Sequence, residues 1–374
     1  MNTVEIFPVR RRAERLAFAR LPRSLQGADP RFVPPLVPEV LRVLDPRRNP
    51  FFRHGEAALF LARREGKVCG RISASTDRLS DELHGERAAC FGYLEAPEDA
   101  AVVRALLDAA RSFARERGAR LLRGPVNLST NYECGLLVEG FDTPPAVGMN
   151  HNPPYLARLL EGEGLRPARD LLAYWMWRGE SDLSRVLRIA ERLSGKGSFA
   201  VRAIRMREFD GEIARLHRVY ERSWERNWGF APLPLEEFLF LARGMKRVLD
   251  PDLCLLAEKE GETLGFALAL PDVNRAIAAI GGRLFPFGIL RLPGLIRRVK
   301  TLRVLTLGVV PEARGHGADA ALIGGIVRAG SAKGFASGEM SWVLEDNLAM
   351  RRPLEALGGK IYKRYRVYEE ALAR

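Results

Sequence analysis

One turn in this chain has the composition of a phosphate cradle: Arg314-Gly315-His316-Gly317-Ala318. It follows an aliphatic run, Val304-Leu305-Thr306-Leu307-Gly308-Val309-Val310, that reads as a buried strand closed by Pro311. It precedes Ala320, Ala321, Leu322, Ile323, Ile326 and Val327, apolar residues at helical spacing. Strand, small-residue turn and helix in that order leave the N–H groups of the first helical turn facing outward. Those donors and the positive end of the helix dipole favour an anion, above all a diphosphate. The bland alternative is a helix start with convenient glycines.

Other clusters could serve beside it. Glu345 ends a strand and is placed either to accept an amine proton or to stand solvated near a helix N-terminus; Asn347 is a natural N-cap for the helix that follows. Tyr362, Tyr365 and Tyr368 recur along the last strand, where a core role competes with a proton-donating one. Tyr220, Trp224, Asn227, Trp228 and Phe230 crowd the end of one helix before the next, as a binding wall or as core. Asn127, Asn131 and Glu133 lie in a polar stretch from Gly124 to Gly135, where turn chemistry and substrate lining are both open.

Pro311-x-x-Arg314-Gly315-x-Gly317 after a strand, followed by Asn347-Leu348-Ala349-Met350 and Leu357-Gly358, resembles the acyl-CoA-binding half of the GNAT acyltransferase superfamily. The resemblance implies a coenzyme A thioester co-substrate with its diphosphate on the turn. Leu307, Gly308, Val309, Arg314, Gly315, His316, Gly317, Ala318 and Asn347 would then hold the donor, the strand before the turn splaying to admit the thioester arm. It implies an amine acceptor against Tyr220, Trp224, Asn227, Trp228 and Phe230; on their own chemistry Asn127, Asn131 and Glu133 would line it. Glu345 would be the base, and Tyr362 or Tyr365 the acid for the leaving thiolate. Two positions depart from the family pattern: Asp319 stands where a small residue is usual, and Leu354 where a general-acid Tyr is common. As a whole, with its Asn-rich loop and Asn-Trp-Gly-Phe junction, the chain is similar to the bacterial ceramide-synthase-like group, which joins a long acyl chain to a sphingoid amine.

The elements that would position these residues occur twice. Hairpins about Glu65-Gly66-Lys67 and Glu260-Gly261-Glu262, and long helices after Pro97-Glu98 and Pro311-Glu312, suggest a tandem repeat. The expected fold is α+β: two GNAT-like units, residues 1–180 and 198–374, hinged near Ser194 to Ser198, each a mixed, mostly antiparallel sheet flanked by helices. In the helix from Ala100 to Arg117, Val103, Leu106, Leu107, Ala110 and Phe113 share one face. The loop before it, Ala96-Pro97-Glu98-Asp99-Ala100, carries two carboxylates and no glycine, which would repel a diphosphate. The first unit is therefore expected to be a scaffold or substrate wall.

With 374 residues there is room for two cores. The net charge of +13 suits an anionic partner, or reflects an Arg-rich genome. No nucleic-acid-binding motif accompanies it. Four single cysteines, Cys69, Cys90, Cys134 and Cys254, give no metal or disulfide pattern, and no metal is expected. No apolar run reaches the roughly 20 residues of a bilayer span. A reducing cytoplasm is the expected compartment. Arg283 to Arg303 holds six basic residues, no acid and many bulky apolar ones, the pattern of a segment lying on the inner membrane or of an amphipathic helix packed on its domain. The activity expected is N-acyl transfer. A soluble small-amine acetyltransferase and a non-catalytic acyl-CoA-binding module remain as alternatives.

Overall fold

The computed structural model describes residues 3–181, 183–194, 199–225 and 227–373. In chain order the elements are β1 (Glu5–Pro8), α1 (Arg12–Gln26), α2 (Val37–Val43), β2 (Gly55–Arg64), β3 (Lys67–Asp77), α3 (Arg78–His84), β4 (Ala88–Glu95), α4 (Ala100–Glu116), β5 (Leu121–Gly124), β6 (Leu136–Glu139), α5 (Tyr155–Gly162) and β7 (Arg166–Trp177). There follow α6 (Leu183–Ser194), β8 (Ala200–Ala203), α7 (Phe209–Trp224), α8 (Leu235–Met245), β9 (Cys254–Lys259), β10 (Glu262–Pro271), α9 (Asn274–Ala279), α10 (Gly288–Ile296), β11 (Thr301–Val309), α11 (Ala318–Ala332), β12 (Ser337–Leu344), α12 (Leu348–Ala356) and β13 (Lys360–Ala371). The architecture is α+β, as the sequence leads one to expect.

Two compact units emerge. Unit 1 is Met1–Leu171 with Ile277–Leu290 and Lys363–Arg374; unit 2 is Leu172–Ala276 with Arg291–Tyr362. The division falls inside β7, whereas the repeat pattern in the sequence places it at 180–198. Of the expected hinge, Gly195, Lys196, Gly197 and Ser198 lie outside the described residues.

Unit 1 orders its strands β1-β2-β3-β4-β5-β13, with β6 on β13. Among the described residues of this unit only β4 and β5 pair in parallel, from Ala88↔Leu121 to Cys90↔Arg123. The apolar face of α4 covers this sheet: Val102, Val103, Leu106, Leu107, Ala110 and Phe113 join Ile72, Phe91 and Leu94 in one buried cluster. That face is the one read from its helical period. The helix begins at Asp99, whose carboxylate accepts from the N–H groups of Ala101 and Val102 at 2.9 and 3.2 Å. Arg64 pairs with the same carboxylate and holds it below the usual range.

Beyond Cys90, β4 and β5 part, and unit 1 closes the gap with its own chain. The Val126 N–H donates to the Phe91 carbonyl at 2.6 Å, and the Tyr93 N–H donates to Asn127 Oδ1 at 2.8 Å. The Asn127 amide in turn donates to Glu133 Oε2 at 3.0 Å. Closure depends on Gly92, since a Cβ there would lie 2.4 Å from the Val126 oxygen and 2.7 Å from Asn127 Oδ1.

Unit 2 repeats the plan with the order β7-β12-β11-β10-β9-β8. Phe266, Leu268 and Leu270 of β10 share one face by the two-residue period of a strand. Their cross-strand partners Gly308, Thr306 and Arg303 share it too, because Leu305 is bulged out between the pairs Leu268↔Thr306 and Ala269↔Val304. On that face Trp224 of α7 packs 6.0 Å from the Phe266 ring. The opposite face belongs to α11, whose Leu322 lies under Gly265. Behind α11 packs α6, where Gly324 leaves room for Ala190.

The closure of unit 1 is open to a direct test. Gly92→Ala should lower stability by about 1–3 kcal/mol, the usual cost of forcing atoms into a packed interior. Urea denaturation followed by circular dichroism measures it, and an unchanged midpoint would contradict the closure.

Candidate active site

In unit 2 the parallel ladder between β11 and β12 runs from Thr301↔Ser337 to Val304↔Met340. Both strands continue past it, β11 to Val309 and β12 to Leu344, with no further pairing between them among the described residues. The Leu305 bulge sits at the parting. Leu307, Gly308 and Val309 line the separated end of β11. Gly308 is required on the α7 side, for a Cβ there would lie 2.2 Å from Trp224 Cζ3.

The strand leads into the Gly-rich turn. Arg314 does not point at an empty cradle: its Nε donates to the Val309 carbonyl at 3.1 Å and its Nη2 to the Ser223 carbonyl at 2.8 Å. It ties the strand end and the α7 C-terminus to the turn. His316 Nδ1 lies 2.9 Å from the Arg314 carbonyl. Gly317, at φ +89°, is the N-terminal flank of α11, and no side chain caps that helix. Here the two units differ. The α4 N-terminus is filled by Asp99, whereas no side chain caps the α11 N-terminus, from Ala318 on. Asp319 in that turn is exposed.

Of the residues expected at the acceptor wall, Tyr220, Trp224 and Phe230 come together in unit 2. Tyr220 stacks on Trp224 with ring centroids 4.9 Å apart and leans on Phe230 at 6.0 Å and Phe238 at 5.6 Å. Burial drives the Tyr220 phenol pKa well above its ordinary value, with the Glu237 charge adding to it. Asn227 and Trp228 occupy the connection to α8, where the Asn227 N–H donates to the Trp224 carbonyl at 2.8 Å. Asn347 is the N-cap of α12, its side chain accepting from the Met350 N–H at 3.2 Å. The Glu345 carbonyl accepts from Arg351 Nη1 at 2.6 Å.

Other expected site residues belong to unit 1. Asn127 and Glu133 are the brace of its closed loop, and the Asn131 N–H bonds Ser129 Oγ at 3.3 Å. Tyr365 also belongs to unit 1, fully buried and paired with Leu137. Tyr362 remains in unit 2. Leu354 is buried with Leu172, Tyr174 and Val343.

Sequence reasoning missed a polar cluster on the α7 side of the unit 2 sheet. Arg303 and Glu339, directly opposite in the ladder, are 1% and 0% exposed. Arg303 Nε donates to Ser341 Oγ at 3.2 Å, and Ser341 donates to Glu339 Oε1. Tyr362 donates its hydroxyl to Glu339 Oε2. The guanidinium lies 5.2 Å from the Trp342 ring centroid, and the Trp342 indole N–H is buried without a hydrogen-bond partner among the described residues. Trp175 packs 5.4 Å from the Tyr362 ring. The available signal was one residue of each charge inside two apolar strands. Such residues are buried only when paired.

No family model matches the chain. It is 38% identical to the bacterial ceramide synthase of Caulobacter vibrioides (strain NA1000 / CB15N), covering 99% of this chain and 98% of that protein. It is 35% identical to protein YghO of Escherichia coli (strain K12), over 95% of this chain and 92% of the relative. Among solved structures, a tandem GNAT protein from the clavulanic acid biosynthesis pathway matches with a TM-score of 0.60 and 14% identity, covering 100% of this chain and 99% of that one. A GCN5-related N-acetyltransferase from Sphaerobacter thermophilus matches at 0.54 and 15%, covering 99% and 96%. With these relatives over nearly its whole length and the same tandem architecture end to end, the chain belongs to the family of the bacterial ceramide synthase and YghO, built on two GNAT units.

Proposed function

We propose that the chain is an N-acyltransferase that moves an acyl group from acyl-CoA to a primary amine, a long-chain sphingoid-type base in particular. One observation carries the reading: in unit 2 two strands part beside a helix N-terminus that no side chain caps. A thioester arm fits a gap between parted strands, where a backbone N–H near Leu307 to Val309 would polarise its carbonyl. The first turn of α11 and its dipole would take the diphosphate. Holding donor and amine in one cleft supplies proximity. The family relationship supports both the chemistry and the lipid-like acceptor.

The acceptor class agrees with a second feature. From Arg283 to Lys300 the chain carries five basic residues, Arg283, Arg291, Arg297, Arg298 and Lys300, all exposed, and no acid. Phe285, Phe287 and Leu290 are 72%, 70% and 77% exposed, and α10 is short and contains Pro293. Among the described residues no helix is long and apolar enough to cross a membrane. Basic side chains worth roughly 1 kcal/mol each near an anionic surface, with aromatic and aliphatic side chains to insert, would hold the protein reversibly on a bilayer. A long-chain amine is concentrated there.

Three measurements test this. Calorimetry should give one CoA site per chain, lost in Gly317→Glu and unchanged in Glu98→Gln; two sites would contradict the reading. Mass spectrometry after incubation with acyl-CoAs and amines of graded length should detect the N-acyl product of a long-chain base. Product from short soluble amines only would favour a small-molecule acetyltransferase, and CoA binding without any product a non-catalytic module. In sedimentation with phosphatidylserine vesicles at low salt, Phe285→Ser with Phe287→Ser and Leu290→Ser should leave the protein in the supernatant. A wild type that ignores such vesicles would remove the interfacial part.

A further inference from the structure

The Tyr362–Glu339 contact has a direction. The Tyr362 hydroxyl donates to Glu339 Oε2, so the hydrogen between them is the phenol's. The far carboxylate oxygen is occupied in the same sense, Arg303 Nε donating to Ser341 at 3.2 Å and Ser341 to Glu339 Oε1. Arg303 Nε also lies 3.9 Å from Glu339 Oε1 and supplies the counter-charge for a carboxylate with no solvent exposure. A chain of donors thus converges on Glu339 from both sides. A phenol has one hydrogen, so with it given to Glu339 the Tyr362 oxygen meets any further group only as an acceptor.

The cluster's place gives this direction a use. Arg303 and Glu339 form the couple just before the last pair of the ladder, so the cluster lies at the root of the opening between β11 and β12. By strand period and register it is on the face that carries Gly308, Phe266 and Trp224, the acceptor side of the proposed site. Tyr362 is only partly buried, while Glu339 behind it is fully buried.

We propose that Tyr362 is the proton acceptor for the attacking amine, working as a relay into Glu339, and not the acid for the leaving thiolate. The inference rests on the N-acyl transfer proposed above. As the neutral amine nitrogen bonds to the thioester carbonyl carbon, one of its N–H protons moves to the Tyr362 oxygen and the phenolic proton moves to Glu339 Oε2. The C–S bond then breaks and the thiolate leaves with the electron pair. It takes a proton from water, and Glu339 returns its proton to water through Tyr362. Glu339 acts through Tyr362, and Ser341 and Arg303 hold it aimed at the phenol. No acid is needed at the sulfur, in keeping with Leu354 at the position where the family often has a tyrosine.

Base and acid roles respond to different substrates. General acid–base help is typically worth about 10²–10⁴-fold. Tyr362→Phe should therefore lower kcat/KM for a long-chain alkylamine by at least about 10²-fold, with acyl-CoA binding in calorimetry and thermal stability unchanged. Replacing the acceptor with a long-chain O-alkylhydroxylamine, whose nitrogen releases its proton far more readily, should shrink that deficit to less than about 10-fold. Replacing the donor with an aryl thioester, whose thiolate leaves without a proton, should not shrink it. Glu339→Gln should follow the same pattern; if that chain does not fold, Tyr362→Phe decides alone. Rescue by the aryl thioester and not by the hydroxylamine would overturn the proposal and make Tyr362 the acid. Equal deficits with all substrates, or none, would also overturn it. A wild type that acylates no amine removes the proposed function and this inference with it, whereas a wild type that turns over with the wrong rescue pattern removes this inference alone.

Discussion

Hydrogen-bonded strands lie about 4.8 Å apart, too close for anything to enter between them. A sheet can host a ligand in its own plane only where its ladder ends, and ending a ladder exposes backbone donors and acceptors that must be satisfied some other way. Much of unit 2 answers to that constraint. The Leu305 bulge re-aims β11 at the last paired couple. Trp224 supports the parted strand from below through the space at Gly308. Arg314 ties its far end to α7.

The two units present two solutions to one problem. In unit 1 the backbone groups beyond the ladder are taken up by Val126 and Asn127, and the helix terminus alongside by Asp99. In unit 2, among the described residues, no β11–β12 pairing follows Val304↔Met340, and the α11 terminus carries no capping side chain. A duplicated architecture can thus keep its fold while one copy meets these backbone groups with its own side chains. The Asn127–Glu133 pair shows how few side chains suffice.

What could be read in the sequence follows the range of the signal. The Gly-rich turn, the hairpins, the amphipathic face of α4 and the N-cap at Asn347 are all local, and each lies where residue type and spacing place it. The polar residues of the Asn-rich stretch were visible, but whether they faced a ligand or their own backbone depended on Phe91 and Tyr93, more than thirty residues earlier. The cluster around Glu339 was the least legible part. Arg303, Glu339, Ser341 and Tyr362 come from three strands and meet only through register, which no short window contains. Neither the strand β7 nor the helix α6 is among the elements expected from the sequence. That α6 packs on α11 is evident only when Gly324 and Ala190 are brought together.

The strand β13 gives the chain a temporal order. Its residues from Tyr368 to Ala371 pair with β5, and Arg364 to Arg366 with β6. Arg111 of α4 forks onto Glu370 at 2.6 and 2.8 Å, across 259 positions of sequence. Asp170 likewise waits for Arg366, which reaches it at 2.7 and 2.9 Å. A ribosome releases about 5–20 residues per second, so more than ten seconds separate β5 from the strand that completes its sheet. Throughout that interval unit 1 carries an unfilled sheet position, an edge able to pair with any passing strand. The unit made first is thus among the last to be finished. Contacts of such long sequence separation are slow to form even in a complete chain. For this protein the hazard of misassembly lies in biosynthesis, in the interval before β13 emerges.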